Sequence, residues 1–293
     1  MTRATDDELY LRGSETLLAS WAQYARGSAG AALRRLSGVA AAVFPEGPER
    51  AVYNNALLDR DLDRTERAAA VDAMAAAYRS AGVDRYAAWV HESDEGMRAE
   101  LSARGYAIAE STLAMGMRLD AVSLTLPRVE LGPLGWPEYL GYLEVVGVPA
   151  GLLSGADPSA FHTLVARHAG ANVATAIAFD HHGDCGIYNM STLETARRQG
   201  LGTALTARHV HDAAERGCST ASLQSTPMAE RVYAAVGFRD LGRILEYVPG
   251  QPIRRSSQTR SRSSIPSTSS PEAYPLAGVN ASRSIARIRN PSR

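Results

Sequence analysis

Apolar positions along the chain change period several times, and each change marks an element. Glu15–Arg26 carries Leu17, Leu18, Trp21 and Tyr24 on one helical stripe. Gly38–Phe44 is a short apolar run suited to a buried strand, stopped by Pro45-Glu-Gly-Pro48, and Arg50–Leu57 reads as its partner strand. Arg64–Ser80 is an Ala-rich helix closed by Gly82. A strand at Arg85–Val90, a helix at Asp94–Arg104 and an extended Gly105–Leu119 complete the first half. The Leu-Pro-Arg-Val-Glu-Leu-Gly-Pro-Leu-Gly stretch at 126–135 separates the halves. Two helical patterns follow, at Pro137–Val146 and Pro158–His168. Strands at Asn172–Phe179 and Cys185–Met190 flank the turn Asp180-His-His-Gly-Asp184. A helix from Gly200 to Arg216, a strand at Ser219–Gln224, a helix at Met228–Val236 and a strand at Phe238–Tyr247 end the periodic part.

The late elements repeat the earlier ones. Trp89–Tyr106 can be laid on Ala221–Phe238, strand on strand and helix on helix, and the preceding helices correspond across a small gap near Gly82 and Gly217. Three elements in one order point to a duplication. The copies differ where chemistry would sit. Opposite Arg197-x-x-Gly200-x-Gly202 stands Thr65-Glu-Arg-Ala68-Ala-Ala70, and opposite Tyr233 stands Leu101.

Composition adds a third region. The chain has 31 acidic and 31 basic residues, all of the latter arginine. Residues 250–293 carry eight arginines against Glu272 alone, a net of +7, which leaves the first 249 residues at −7. With Ser and Pro abundant and periodicity lost, this tail reads as disordered. Tyr274 is its one aromatic residue, which argues against a nucleic-acid surface that interleaves basic and aromatic side chains. The polar start and the lack of a long apolar run predict no signal peptide and no membrane span. Two cysteines, Cys185 and Cys218, suggest neither a disulfide framework nor a metal centre. A cytoplasmic protein is expected.

The stretch Arg197-Arg198-Gln199-Gly200-Leu201-Gly202-Thr203 has the richest chemistry. Glycine at 200 and 202 lets backbone N–H groups approach a ligand closely at the start of a helix, whose dipole favours an anion there. A tight turn would also use Gly-x-Gly. No Lys-Ser/Thr follows, which removes the P-loop, and position 205 is Leu, which removes the dinucleotide fingerprint. Some 30 residues later comes Tyr233-Ala-Ala-Val-Gly237-Phe238.

Arg-x-x-Gly-x-Gly at a helix start after a strand, followed by a strand and a Tyr-x-x-x-Gly-Phe helix, resembles the acetyl-CoA signature of the GNAT acyltransferase superfamily. The likeness covers residues 126–249 with good motifs and 1–125 as a degenerate copy, similar to bacterial tandem GNAT proteins. Gln199 and Glu194 depart from the residues frequent at their places. The resemblance implies an α/β fold of two GNAT-like units in tandem, a mostly antiparallel sheet flanked by helices. It implies a degenerate half at 1–125, an N-acetyltransferase domain at 126–249 and the tail at 250–293. It implies that Met190, Ser191 and Thr192 end a splayed strand pairing with pantetheine amides. Arg197, Arg198, Gln199, Gly200, Leu201, Gly202 and Thr203 would cradle the pyrophosphate, and Tyr233 would protonate the departing thiolate as general acid.

The implied reaction is acetyl transfer from acetyl-CoA to an amine in a ternary complex, without metal. The alternative is a non-catalytic acyl-CoA-binding sensor. Partners would be a small-molecule or peptide amine, with no nucleic acid and no membrane, and oligomeric state is left open. No general base emerges among Glu194, Tyr188, Asn189, His181, His182, His209 and His211.

Overall fold

The computed structural model describes residues 4–47, 53–120, 129–148, 150–151 and 153–250. The expected disordered tail lies outside the described residues, as does the start of the strand expected at Arg50–Leu57.

A meander of three antiparallel strands, β1 (Ala32–Leu36), β2 (Val39–Val43) and β3 (Asn55–Leu58), leads into helix α2 (Arg64–Ser80). That helix returns the chain to β4 (Ala87–His91), parallel to β3, after which come α3 (Glu95–Ala103) and β5 (Tyr106–Arg118). The second half repeats this order. A meander β7 (His162–His168), β8 (Ala171–His181) and β9 (Asp184–Thr192) leads through α5 (Leu201–Glu215) to β10 (Thr220–Ser225), parallel to β9. Then follow α6 (Glu230–Ala234) and β11 (Arg239–Pro249). Two additions precede the repeats: α1 (Asp6–Ala25) before the first, β6 (Glu130–Pro133) and α4 (Trp136–Val145) before the second.

All eleven strands form one sheet, in the order β1-β2-β3-β4-β11-β5-β10-β9-β8-β7-β6. The halves have exchanged their last strands. β11 of the second half lies against β4 of the first, β5 of the first lies against β10 of the second, and β5 and β11 pair antiparallel at the centre. The fold is therefore mixed α/β, two repeated units in tandem on one mostly antiparallel sheet.

Both sheet faces are covered, so central strands read as continuous apolar runs rather than alternations. Along β2, Ala40 and Ala42 face the cluster of α1 and α4, while Val39, Ala41 and Val43 face α2 and α3. Helix α1 runs across strands of both halves, and its Trp21 meets Trp89 of β4 edge to face, centroids 5.4 Å apart. Burying such rings contributes roughly 1.5–3 kcal/mol each, with a further increment for the edge contact. On the other face α5 and α6 cover β8–β10.

Three sequence readings need correction. Helix α1 begins at Asp6, nine residues before Glu15, because Thr5 and Glu8 form a capping box: Thr5 Oγ1 accepts from the Glu8 N–H and Glu8 Oε2 from the Thr5 N–H. Pro158–His168 is not a helix. Pro158–Ala160 makes one 3-10 turn, and His162–His168 is strand β7, paired on both sides. Phe161, Leu164, Val165 and His168 imitate a helical stripe, but the stretch serves a sheet covered on both faces. Finally, β1 and β6 were both missed. Each is a sheet edge with half-exposed residues and no apolar run, and β6 sits inside the stretch read as a separator.

The exchange predicts strong coupling between the halves. A chain ending at Phe238 lacks β11 and leaves β4 and β5 each with one of their two neighbours missing. Its circular dichroism is expected to show loss of sheet signal and no cooperative melt, whereas the full chain melts in one transition. A truncated chain that melts cooperatively would contradict this coupling.

Candidate functional site

Between β9 and α5 the chain makes a 3-10 turn at Glu194–Ala196 and then a tight loop with Arg198 at φ 61° and Gly200 at φ 76°. Gly200 is the N-cap of α5 and supplies no side chain to close the helix end. The first helical bond runs from the Ala204 N–H to the Gly200 carbonyl at 2.9 Å, so the N–H groups of Leu201, Gly202 and Thr203 have no acceptor within the helix. Arg198, Gln199 and Gly200 are exposed. The Leu201 side chain is buried with Leu164, Val173 and Leu205 and fastens the loop to the core. Arg197 donates from Nε to the Thr192 carbonyl at 3.4 Å, tying the loop to the end of β9. A Cβ at Gly202 would lie 3.4 Å from Val232 Cγ1 of α6, an ordinary contact, so the packing of α6 on α5 does not itself demand glycine there.

Helix α2, the counterpart of α5, begins differently. Its N-cap Asp63 accepts from the Glu66 N–H at 2.8 Å and Glu66 reaches back to the Asp63 N–H at 2.8 Å. Two carboxylates occupy the place where an anion would bind. The helix starts also set Asp63 opposite Gly200, which corrects the pairing of Ala68 with Gly200 suggested by the sequence repeat.

Strands β9 and β10 pair only at Asp184–Gly186 with Thr220–Ser222. Beyond that point Ile187–Thr192 continue along β8 without a β10 partner, so the two parallel strands part. Asp184 pins the apex: it is buried, and its carboxylate accepts from Thr220 Oγ1 at 2.6 Å and Ser222 Oγ at 2.7 Å. Sequence reasoning passed over Asp184 because an acid closing a hairpin turn reads as solvated. Only the register, which sets it beside two hydroxyls, reveals the clamp.

On its other side β9 carries a bulge. Thr175 pairs with Ser191 and Ile177 with Tyr188, so Asn189 and Met190 both oppose Ala176. Asn189 takes φ 51°, a conformation Asn tolerates better than most residues, and donates from Nδ2 to Tyr139 Oη at 3.2 Å. Met190 packs toward α5, while Ser191 and Thr192 rejoin the β8 ladder.

Tyr233, on the short α6, is buried beside Ile187 of β9 and Leu223 of β10, with Phe238 edge-on at 6.2 Å. Its hydroxyl has no hydrogen-bond partner among the described residues, and burial alone pushes its pKa above that of an ordinary phenol. The group stays protonated across the neutral range. Leu101, its counterpart on α3, is fully buried and apolar.

The remaining titratable groups lie elsewhere. Glu194 is exposed. His181 and His182 stack on each other at 4.0 Å in the β8–β9 turn, at the end of β9 opposite the α5 loop. Tyr188 folds back along β9 over Gly186, where a Cβ would collide with its Oη. Burial pushes the Cys185 thiol well up and the Cys218 thiol up to about 11, so neither is a thiolate at neutral pH. At the far end of α5, His211, Asp212 and Glu215 bring ligating atoms within 4.8 Å, but Arg208 already holds Asp212 at 2.7 Å.

His209, fully buried on α5, is pushed down to about 4 by loss of hydration. Its neighbours are the Ala176 carbonyl, His162 from β7, and Asp212 and Arg216 from its own helix. The unfolded chain takes up a proton near pH 6.5 that the folded chain refuses until about 4. His209 therefore favours unfolding increasingly as pH falls through that window, by about 3 kcal/mol in all. Urea titrations from pH 7 to 4 are expected to show this slope in the wild type and a shallower one in His209→Gln. Equal slopes would remove the assignment.

Residues 159–240 match the family model of the acetyltransferase (GNAT) domain. No curated protein matches the chain in sequence. Among solved structures, a GCN5-related N-acetyltransferase from Kribbella flavida is similar over 83% of this chain and 96% of that one, with a TM-score of 0.65 and 19% identity. A GCN5-related N-acetyltransferase from Sphaerobacter thermophilus matches over 83% and 95%, with a TM-score of 0.53 and 15% identity. A tandem GNAT protein from the clavulanic acid biosynthesis pathway matches over 80% and 94%, with a TM-score of 0.51 and 15% identity. These likenesses describe the fold. Among the described residues no helix is long and apolar enough to cross a membrane.

Proposed function

We propose that this chain, a tandem GNAT fold with a GNAT acetyltransferase domain in its second half, moves an acetyl group from acetyl-CoA directly to an amine. The observation that carries the reading is the uncapped start of α5 beside the gap between β9 and β10. Three N–H groups without helical partners, Arg197 and Arg198 provide donors and positive charge for a pyrophosphate. The end of β9, at Met190, Ser191 and Thr192, provides backbone groups on the side that β10 has left, suited to the amides of a pantetheine arm.

Tyr233 gives the site its acid. A buried phenol without a hydrogen-bond partner can donate its proton to a departing thiolate. The amine must lose a proton first, since an alkylammonium has a pKa of about 10.4, and water can accept it. Neither cysteine carries a covalent intermediate in this reading, because both thiols are held protonated. The first half, whose α2 is capped by its own carboxylates, binds no acyl-CoA. The cytoplasm is the compartment this implies.

Isothermal titration with acetyl-CoA, followed by thiol release with a panel of amines, tests the reading. Binding with release identifies the enzyme. Binding without release across aminoglycosides, polyamines, amino acids and peptide N-termini would favour the non-catalytic sensor. No binding would sink both.

A further inference from the structure

His209 has no part in the chemistry just described, yet it is an imidazole with no exposed surface on a helix face built mainly from apolar residues such as Leu201, Ala204, Leu205 and Ala213, where the other buried polar side chain, Thr206, bonds back to the Gly202 carbonyl of its own helix. Burying such a group costs more than burying a leucine unless it makes a bond worth having. It makes one. Nε2 lies 3.3 Å from the Ala176 carbonyl oxygen. A carbonyl can only accept, so Nε2 carries the hydrogen. Nδ1 has no partner among the described residues, so the Ala176 bond is what the polar ring gains.

Ala176 is no ordinary position. It is the β8 residue that faces both members of the β9 bulge, Asn189 and Met190. The bulge falls where β9 has already parted from β10, so its backbone borders the gap. From the other side of the sheet, Asn189 Nδ2 reaches Tyr139 Oη, and Tyr139 is itself buried on α4. The bulge is thus held from both faces: by Tyr139 on its own side chain and by His209 through the strand opposite. Packing alone would not require a donor there.

Resting on the acyltransferase reading above, we propose that His209 is a positioning residue, whose hydrogen bond to Ala176 fixes the Asn189–Met190 bulge and so the backbone that borders the gap beside Tyr233. The bond ties the helix that begins at the anion site to the strand that borders the gap, and sets their separation. Its loss leaves the pyrophosphate cradle in place, because that cradle is built two turns away at the start of α5.

The test compares His209→Leu with His209→Gln, whose amide can donate to the same carbonyl. In His209→Leu, kcat is expected to fall by about tenfold or more while the dissociation constant for coenzyme A stays within about twofold. His209→Gln is expected to recover kcat to within about threefold of wild type. Amide exchange at Met190 and Ser191, read by mass spectrometry, should quicken in His209→Leu and return in His209→Gln. Unchanged turnover and exchange in His209→Leu would overturn the proposal, as would a loss shared by His209→Gln that follows melting temperature alone. A wild-type protein that binds no coenzyme A would instead overturn the acyltransferase reading, and the exchange data would still decide whether His209 holds the bulge.

Discussion

Gly202→Glu is expected to weaken acetyl-CoA binding by at least about a hundredfold, or about 2.7 kcal/mol, while leaving the melting temperature close to that of the wild type. The substitution acts in two ways. A side chain at the second helical position stands among the N–H groups that a pyrophosphate must approach, and its carboxylate competes for the positive end of α5. The fold has no reason to suffer, since an acid in the first turn of a helix is favourable and the glycine is half-buried with a negative φ. Gly202→Ala supplies the control. Its Cβ meets only Val232 Cγ1 at an ordinary 3.4 Å, so affinity should stay within about threefold of wild type. Calorimetric titration of both variants decides the matter. Wild-type affinity in Gly202→Glu would remove the anion site from α5.

The second large effect belongs to Tyr233. Tyr233→Phe is expected to lower kcat about a hundredfold, the lower end of what a positioned general acid contributes, with coenzyme A affinity nearly unchanged. Because the hydroxyl makes no hydrogen bond among the described residues, its removal breaks none, and the variant should be at least as stable as the wild type. Burial raises the phenol's pKa, so the acid form persists above the range where a solvated tyrosine ionises. The wild-type kcat should therefore show no tyrosine-like fall up to pH 10. Turnover at saturating substrates that is the same in both proteins would leave Tyr233 a packing residue.

Much of this was legible in the residues. Period-2 and period-3.6 patterns found the helix Arg64–Ser80 and most strands, and Gly200 and Gly202 located the uncapped helix start because few other residues suit such a loop. What stayed hidden was tertiary. Nothing in β5 or β11 says which half it pairs with, since a strand's backbone offers the same donors and acceptors to either neighbour. Asp184 looked like a turn residue until β10 set two hydroxyls beside it. His209 looked like one more histidine on an amphipathic helix, because a bond to a carbonyl on another strand leaves no trace in spacing. The Thr5–Glu8 box, by contrast, was written in the sequence and could have been read.

The shared central strands also give the first half a part in the gap between β9 and β10. β10 forms one wall of the gap, and its pairing with β9 stops after Ser222. From Leu223 to Ser225 its only neighbour in the sheet among the described residues is β5, which the first half supplies. The wall stands because the first half holds it from behind. The first half, whose α2 is closed by its own carboxylates, is thus masonry for the second: without its last strand, β10 would stand unsupported beyond Ser222.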